Sequence, residues 1–351
     1  MRTSVAIVYN NVGQDEYERL KEVDPSSLGF ETEYSIQVST AQEEYDHLVS
    51  ALAGEGLHAR SWNIRDDLKK LARLLSRNPP DVIFNLVEHF KDNSLLESAV
   101  AGLYELHGVP YTGATPFALG LCVRKGLTKQ VLLANGVPTP RFKLLNQPVF
   151  PKRHGLRYPL IVKPAREDAS SGVGKDSVVF DYDALQARLA ALAGAFPPPY
   201  LVEEFVAGSE LHVSILGNEA AAVVLPIIEF DFSELPDDYP KIISYDAKWN
   251  PLEEVYHRVH SVCPAKISRR VQRAVEEICL KAYRITGCRD YARIDLRLDA
   301  KGRPFVLEVN PNPDLTEGVS FMESAEKAGL SFSRTLRMIV DYALGRRRSA
   351  S

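Results

Sequence analysis

The chain has 351 residues, enough for two or three domains at roughly 100–200 residues each. Hydrophobic residues at 45% and charged residues at 25% exclude wholesale disorder, and 42 Lys plus Arg against 46 Asp plus Glu, a formal net charge of −4, argues against a general nucleic-acid binder. The longest apolar run, 220–228, is broken by Pro226, the N-terminus has no signal-peptide cleavage pattern, and the four cysteines form no CxxC pair, so a cytoplasmic protein with no membrane or nucleic-acid partner is expected.

Residues 3–9 (TSVAIVY) read as a buried opening strand, and 81–87 (DVIFNLV) as a second one after an Asn-Pro-Pro break. Helical spacing lies between them at 41–55 and 66–77. It returns at 94–107, where Leu95, Leu96, Ala99, Val100, Leu103 and Leu106 form one stripe that Gly108 ends. Strands alternating with helices make residues 1–115 an α/β unit with a mostly parallel sheet. Beyond it come a helix at 124–135, a strand at 158–163 (YPLIVK) and an Ala/Leu-rich helix at 183–195 stopped by three prolines. Strands follow at 200–205, 210–216 and 220–230, then a long helix at 265–286, strands at 291–298 and 304–310, and a closing helix at 332–344. The basic residues Arg346, Arg347 and Arg348 are expected to form a frayed, solvated tail over 346–351.

The segment 291–310 (YARIDLRLDAKGRPFVLEVN) carries the most chemistry. Ala292, Ile294, Leu296 and Leu298 alternate with Arg293, Asp295 and Arg297, giving one apolar and one charged face. With Lys301-Gly302 as a two-residue turn, Asp295 sits opposite Glu308 and Arg293 opposite Asn310. Facing carboxylates destabilise a sheet unless something neutralises them. Two carboxylates and an amide oxygen suit Mg²⁺ held with nucleotide phosphates, while a solvated face paired with Arg293 and Arg297 accounts for the pattern equally well.

Lys163 leaves a buried strand just before Pro164, and the loop 166–175 (REDASSGVGK) has the small residues that let backbone N–H groups lie over phosphates. It is not a Walker A loop, because Asp176 follows Gly174-Lys175 where Ser or Thr is required. Glu203 and Glu204 end an apolar strand, Glu210 follows, and Lys248 stands in a loop-like segment; each of these alone also fits an ordinary solvated site.

In their order along the chain these features resemble the ATP-grasp superfamily, and within it the D-alanine–D-alanine ligase group. The matching segments run from PYTG (110–113) through GVPTP (136–140), IVKPARE (161–167), LVEEFVAGSE (201–210), YDAKW (245–249) and ARIDLRLD (292–299) to LEVNPNP (307–313). The resemblance implies an ATP-grasp fold of three α/β subdomains (1–115, 116–202 and 203–345) with ATP between the later two. It implies an ATP-dependent carboxylate–amine ligase that works through an acyl phosphate, with Mg²⁺ or Mn²⁺, two ions, as cofactor. Amino-acid or other carboxylate substrates and a homodimer are also implied. By position, Lys125 and Lys163 would hold ATP phosphates, with Lys248 a third lysine from a mobile loop. Ser170, Ser171 and Gly172 would form the lid over them. Glu203 would accept from the adenine amino group, Glu204, Phe205 and Val206 would form the hinge that reads adenine, and Glu210 would bind ribose. Asp295, Glu308 and Asn310 would bind the metal, and Arg293 would steady the transferred phosphate.

Departures from that family fall on the substrate side. The opening Gly-rich loop is replaced by Asn10-Asn11-Val12-Gly13-Gln14, and a His-Gly pair by Glu88-His89. Trp249 stands where the family has a Tyr, and Asp314 where a glycine helps receive a carboxylate. Glu88, His89, Trp249 and Asp314 are therefore the candidate substrate contacts, and they suggest a different acceptor.

Overall fold

The computed structural model describes residues 2–13, 20, 23, 28–30 and 39–349. Three strands, β1 (Ser4–Tyr9), β2 (His58–Asn63) and β3 (Val82–Leu86), form a parallel sheet in the order β2-β1-β3. Helix α1 (Ala41–Gly54) starts at a capping box of Thr40 and Glu43, α2 (Leu68–Arg77) at the Asp67 carboxylate, and α3 (Glu97–Leu106) follows a single 3₁₀ turn. The two faces of the sheet are buried separately: Val5, Ile7 and Phe84 pack toward α1, and Ala6, Val8 and Ile83 toward α2 and α3. Strand β2 (HARSWN) carries no apolar run, which hides it in the sequence. It is an edge strand held by backbone pairing to β1.

Helix α4 (Pro116–Cys122), capped by Thr115, leads into α5 (Lys125–Ala134). An antiparallel sheet in the order β4-β7-β5-β6 follows, from β4 (Phe142–Leu145), β5 (Leu160–Pro164), β6 (Val178–Val179) and β7 (Tyr200–Glu204). Leu185, Leu189 and Leu192 of α6 (Tyr182–Ala195) bury against its face.

The third sheet runs β11-β10-β8-β12-β13, with β9 on β8. Its members are β8 (Glu210–Leu216), β9 (Val223–Val224), β10 (Ile228–Asp231), β11 (His260–Val262), β12 (Tyr291–Leu298) and β13 (Pro304–Asn310). The single strand expected at 220–230 is two, separated at Pro226, which cannot donate to a ladder. Short helices α7 (Tyr245–Trp249) and α8 (Glu254–Arg258) lie in the long connection before β11. The long helix α9 (Arg269–Ile285) covers the sheet with Val275, Cys279, Ala282 and Tyr283.

Helix α10 (Ser320–Lys327) and the closing helix α11 (Phe332–Ser349) return to the first unit, where Leu336, Ile339 and Val340 bury against Val5, Ile7 and Phe84. The frayed tail expected from residue 346 is corrected here, because α11 runs to Ser349. The guanidinium of Arg346 donates to the Tyr111 carbonyl at 2.6 Å and pairs with Asp290, which is fully buried. Asp290 also accepts from Gly113 N and Asn218 Nδ2, both at 3.0 Å, so one carboxylate ties three parts of the chain together. Replacing it leaves a partly exposed guanidinium and two donors without their acceptor. Asp290→Ala is expected to cost about 1–3 kcal/mol, chiefly from the donors left unsatisfied, read as a lower thermal midpoint; an unchanged midpoint would remove this tie from the stability of the fold.

Candidate active site

The β12–β13 hairpin carries its charges inward through an irregularity that the sequence conceals. Near the turn Leu296 pairs with Val306 and Leu298 with Pro304, whereas beyond it Asp295 faces Glu308 and Arg293 faces Asn310. The register therefore shifts by one between Asp295 and Leu296. The connection is the five-residue loop 299–303, closed by Asp299 N donating to the Arg303 carbonyl and Gly302 N to the Asp299 carbonyl, not a two-residue turn. Residue for residue the expected pairing at the carboxylates is correct, because a longer loop and a bulge offset each other. The bulge matters chemically: Val306 and Val309 both reach the core, so Glu308 turns to the same side as Asp295.

Asp295 is 5% exposed and takes a two-pronged contact from Arg293, Nε at 2.7 Å and Nη2 at 2.8 Å; Asn310 Nδ2 donates to it at 2.9 Å. Burial alone would raise its carboxyl pKa, but the guanidinium outweighs burial and holds it below the usual range. Glu308 behaves likewise. Lys125, at the start of α5, meets it at 2.6 Å and Asp168 at 3.3 Å, and with Lys163 keeps it ionised far below the ordinary value against the cost of burial. Two carboxylates and an amide side chain converging here would suit a hard cation. Of the two readings of the hairpin, the arginines divide: Arg293 stays with Asp295, while Arg297 pairs with Glu210 on β8 at 2.5 Å.

Lys163, at the exit of β5, meets Glu203 of β7 at 2.7 Å, and Lys129, one turn beyond Lys125, meets the other Glu203 oxygen at 2.7 Å. Glu203 is fully buried, and the two ammoniums hold it ionised although burial opposes that. Lys129 is driven down to about 8, burial outweighing Glu203. Its spacing of four from Lys125 on one helix was the available signal that it belongs here.

The hinge follows. Glu204 N donates to the Arg141 carbonyl and Phe205 N to the Pro159 carbonyl, both at 2.9 Å, which leaves Val206 N without a partner among the described residues. The Glu204 side chain turns outward to Arg141 and Arg157, each at 3.1 Å. Arg297 binds the Val206 and Gly208 carbonyls and stacks over Phe205, fixing the hinge against β12. Burial raises the Glu210 carboxyl, only partly offset by Arg297.

The loop 166–175 is strapped to α7 and the residues just before it. Ser170 Oγ donates to the Ile243 carbonyl at 3.1 Å, Tyr245 N to the Val173 carbonyl at 2.8 Å, and Trp249 Nε1 to the Ala169 carbonyl at 2.9 Å. Ala169, Ser170 and Gly172 all have positive φ, and a Cβ on Gly172 would stand 2.7 Å from Pro164 Cγ, so glycine is required there by space as well as by dihedral. Lys248 lies over the Trp249 ring at 4.8 Å, its ammonium pKa lowered by burial and then by Arg293.

One cavity of about 450 Å³ is lined by Lys125, Lys163, Lys248, Arg293, the hairpin carboxylates and the lid. It also takes in Glu88, His89, Trp249 and Asp314, so every candidate substrate residue shares a chamber with Lys125, Lys163, Lys248 and Arg293. Asn10 ties this end together by donating to Asp66 Oδ1 at 2.8 Å and to the His89 carbonyl at 3.0 Å; Gln14 lies outside the described residues. Three further residues escaped sequence reasoning. Asp168 meets Lys125, buried Glu97 lines the cavity, and His212 of β8 sits 3.5 Å from Asp295 with burial lowering it to about 3, hence neutral. Each stands in an apolar or loop segment where a single polar residue carries no periodic signal.

The profile of the "D-ala D-ala ligase C-terminus" family matches residues 131–341. The chain is 33% identical over 306 residues to a D-alanine–D-alanine ligase of Bordetella petrii, covering 84% of this chain and 87% of that one. It is 35% identical over 272 residues to an uncharacterised protein, y4sG, of Sinorhizobium fredii, covering 76% and 77%. In fold it superposes on the D-alanine–D-alanine ligase of Bacillus anthracis complexed with ATP, with a TM-score of 0.73 at 19% identity over the full length of both. With the family model matching residues 131–341 and a relative 33% identical over 84% of the chain, the chain belongs to the D-alanine–D-alanine ligase family and is an ATP-grasp ligase.

Proposed function

We propose that the chain joins the carboxylate of one amino acid to the amine of a second, with D-alanine the first pair to test and Mg²⁺ or Mn²⁺, two ions, as cofactor. The observation that carries this reading is the convergence of Lys125, Lys163, Arg293, Asp295 and Glu308 on one cavity beneath a strapped loop. A carboxylate oxygen attacks the γ-phosphorus of ATP and ADP leaves; the amine nitrogen then attacks the acyl carbon and phosphate leaves. Phosphoryl transfer needs positioning and neutralised oxygens more than covalent help. Lys125, Lys163 and Lys248 supply fixed positive charge, and Arg293, held by Asp295, presents its remaining N–H groups to the transferred phosphate. Asp295, Glu308 and Asn310 would hold the metal, which would supply positive charge against the negative charge of the phosphates. Ser170, Ser171 and Gly172 exclude water, which would otherwise hydrolyse the acyl phosphate.

The adenine end fits the same reading. Glu203 would accept from the adenine amino group, Val206 N would donate to the ring, and Glu210 would face the ribose. The second reading keeps the mechanism and changes the amino acids, and Glu88 and Asp314 in the substrate half favour it. A homodimer, also suggested by the resemblance, is checked by light scattering. The decisive experiment is ATP-dependent phosphate release with Mg²⁺ across D- and L-amino acids, with products identified by mass. The D-alanine dipeptide as sole product supports the first reading, another product the second, and silence throughout overturns both.

A further inference from the structure

The loop 166–175 is held in a conformation that its own residues do not favour. Ala169 and Ser170 both have positive φ, and Gly172 follows with a φ of 72°. A residue with a side chain costs about 1–3 kcal/mol in that region and stays there only where its surroundings enforce it. In front of the loop, the straps from Ile243, Tyr245 and Trp249 come from the long connection between β10 and β11. Behind it stands α6, whose Leu185, Leu189 and Leu192 are buried against the second sheet.

Arg188 reaches from α6 to the loop, and among the described residues its hydrogen bonds go only to the loop and its exit. Nη2 donates to the Gly172 carbonyl and, at 2.8 Å, to Ser177 Oγ, while Nη1 meets Asp176 at 2.7 Å. Ser177 Oγ in turn accepts from Gly174 N at 2.9 Å. The Gly172 carbonyl and Val173 N belong to one peptide, and Val173 N donates to the Ser170 carbonyl at 2.9 Å. A guanidinium that fixes this peptide therefore fixes the turn that begins at Ser170. The Arg188 side chain is 10% exposed, yet its buried Nε has no partner among the described residues. An unmet N–H costs about 1–3 kcal/mol, so the contacts at the two Nη atoms, not the needs of α6, account for its position. Beside this clamp lies a cavity of about 270 Å³ lined by Gly172, Arg188, Phe196 and Tyr245, space for a released loop to enter.

Resting on the ligase reading above, we propose that Arg188 is a positioning residue of the ligation: from α6 it holds the loop closed over the acyl phosphate until the amine has attacked. When the loop opens early, a water oxygen takes the place of the amine at the acyl carbon. The new carbon–oxygen bond forms, the bond to phosphate breaks and a proton passes to solvent. The free carboxylate returns, with ATP consumed and no amide made.

The test uses the full-length protein with Arg188→Met, which keeps the apolar stem, and Asp176→Ala, which removes one anchor of the guanidinium from an exposed position. Thermal melts verify that each variant folds, and Asp176→Ala carries the test if Arg188→Met does not. Hydrogen exchange is followed over 166–177 with Mg²⁺ and ADP bound. Arg188→Met is expected to speed exchange there by on the order of tenfold while the body of α6 is unchanged, and Asp176→Ala to act in the same direction by less. In turnover, phosphate and amide product are counted together. The wild type should release one phosphate per amide, and Arg188→Met several; a purely structural defect would lower both together. Unchanged exchange in the folded variants, or faster exchange with phosphate and amide still equal, would overturn the inference. A wild type that ligates, beside variants that match it, would sink this inference alone. A wild type that joins no pair, with the loop loosened in Arg188→Met, would sink the ligase reading and leave the anchor standing.

Discussion

Glu308→Gln is expected to lower Mg²⁺-dependent turnover by on the order of 10²–10³ while leaving the fold largely intact. The substitution keeps shape and one oxygen but removes the charge that faces Asp295 across the hairpin and meets Lys125 at 2.6 Å. Lys125 is not orphaned, because Asp168 remains at 3.3 Å, and the core side of β13 rests on Val306 and Val309, which are untouched. The loss should therefore fall on the phosphoryl-transfer step. Phosphate release measured against Mg²⁺ concentration, beside a thermal melt, separates the two effects. Retained activity would sink the hairpin metal site.

The second large effect is on nucleotide binding. Lys163→Met should weaken ATP affinity by on the order of 10–100-fold, the loss of one charge-assisted contact to phosphate in a partly enclosed site. Methionine fills the space of the lysine stem where β5 leaves the sheet. Glu203 keeps Lys129 at 2.7 Å, so the buried carboxylate is still paired and the fold is expected to hold. Titration with a fluorescent ATP analogue reads the outcome directly, and an unchanged affinity would take Lys163 out of the phosphate site.

What could be read from the sequence follows from where periodicity survives. The hairpin was legible because apolar and charged residues alternate over Ala292, Arg293, Ile294 and Asp295 with core on one side only. Its bulge was not, although Val306 and Val309, two core residues three apart in one strand, are the trace such an irregularity leaves. Strand β2 was invisible because its stability is in the ladder with β1, not in its side chains. That Lys125 and Lys163 share one cavity could be read from motif order, whereas Lys129, His212 and Glu97 act through contacts between elements far apart in the chain. Arg346 shows the same limit, since a basic residue near a terminus reads as solvated until the buried carboxylate of Asp290 comes into view.

The pairing of Lys125 with Glu308 bears on the order in which ligands arrive. The ammonium stands against the very carboxylate that a divalent cation would claim, and Arg293 does the same at Asp295. A bare metal ion must therefore compete with two resident cations already in place. On the proposed reading nucleotide phosphates would give Lys125 another anion and so free Glu308 for the metal, while Arg293 would keep Asp295 and turn its remaining N–H groups to phosphate. On the proposed reading metal and nucleotide would therefore be mutually enabling ligands, each raising the other's affinity by the same factor. A metal isotherm taken without nucleotide should be shallow, and one taken with ADP steep, so the site assembles as a set rather than piece by piece.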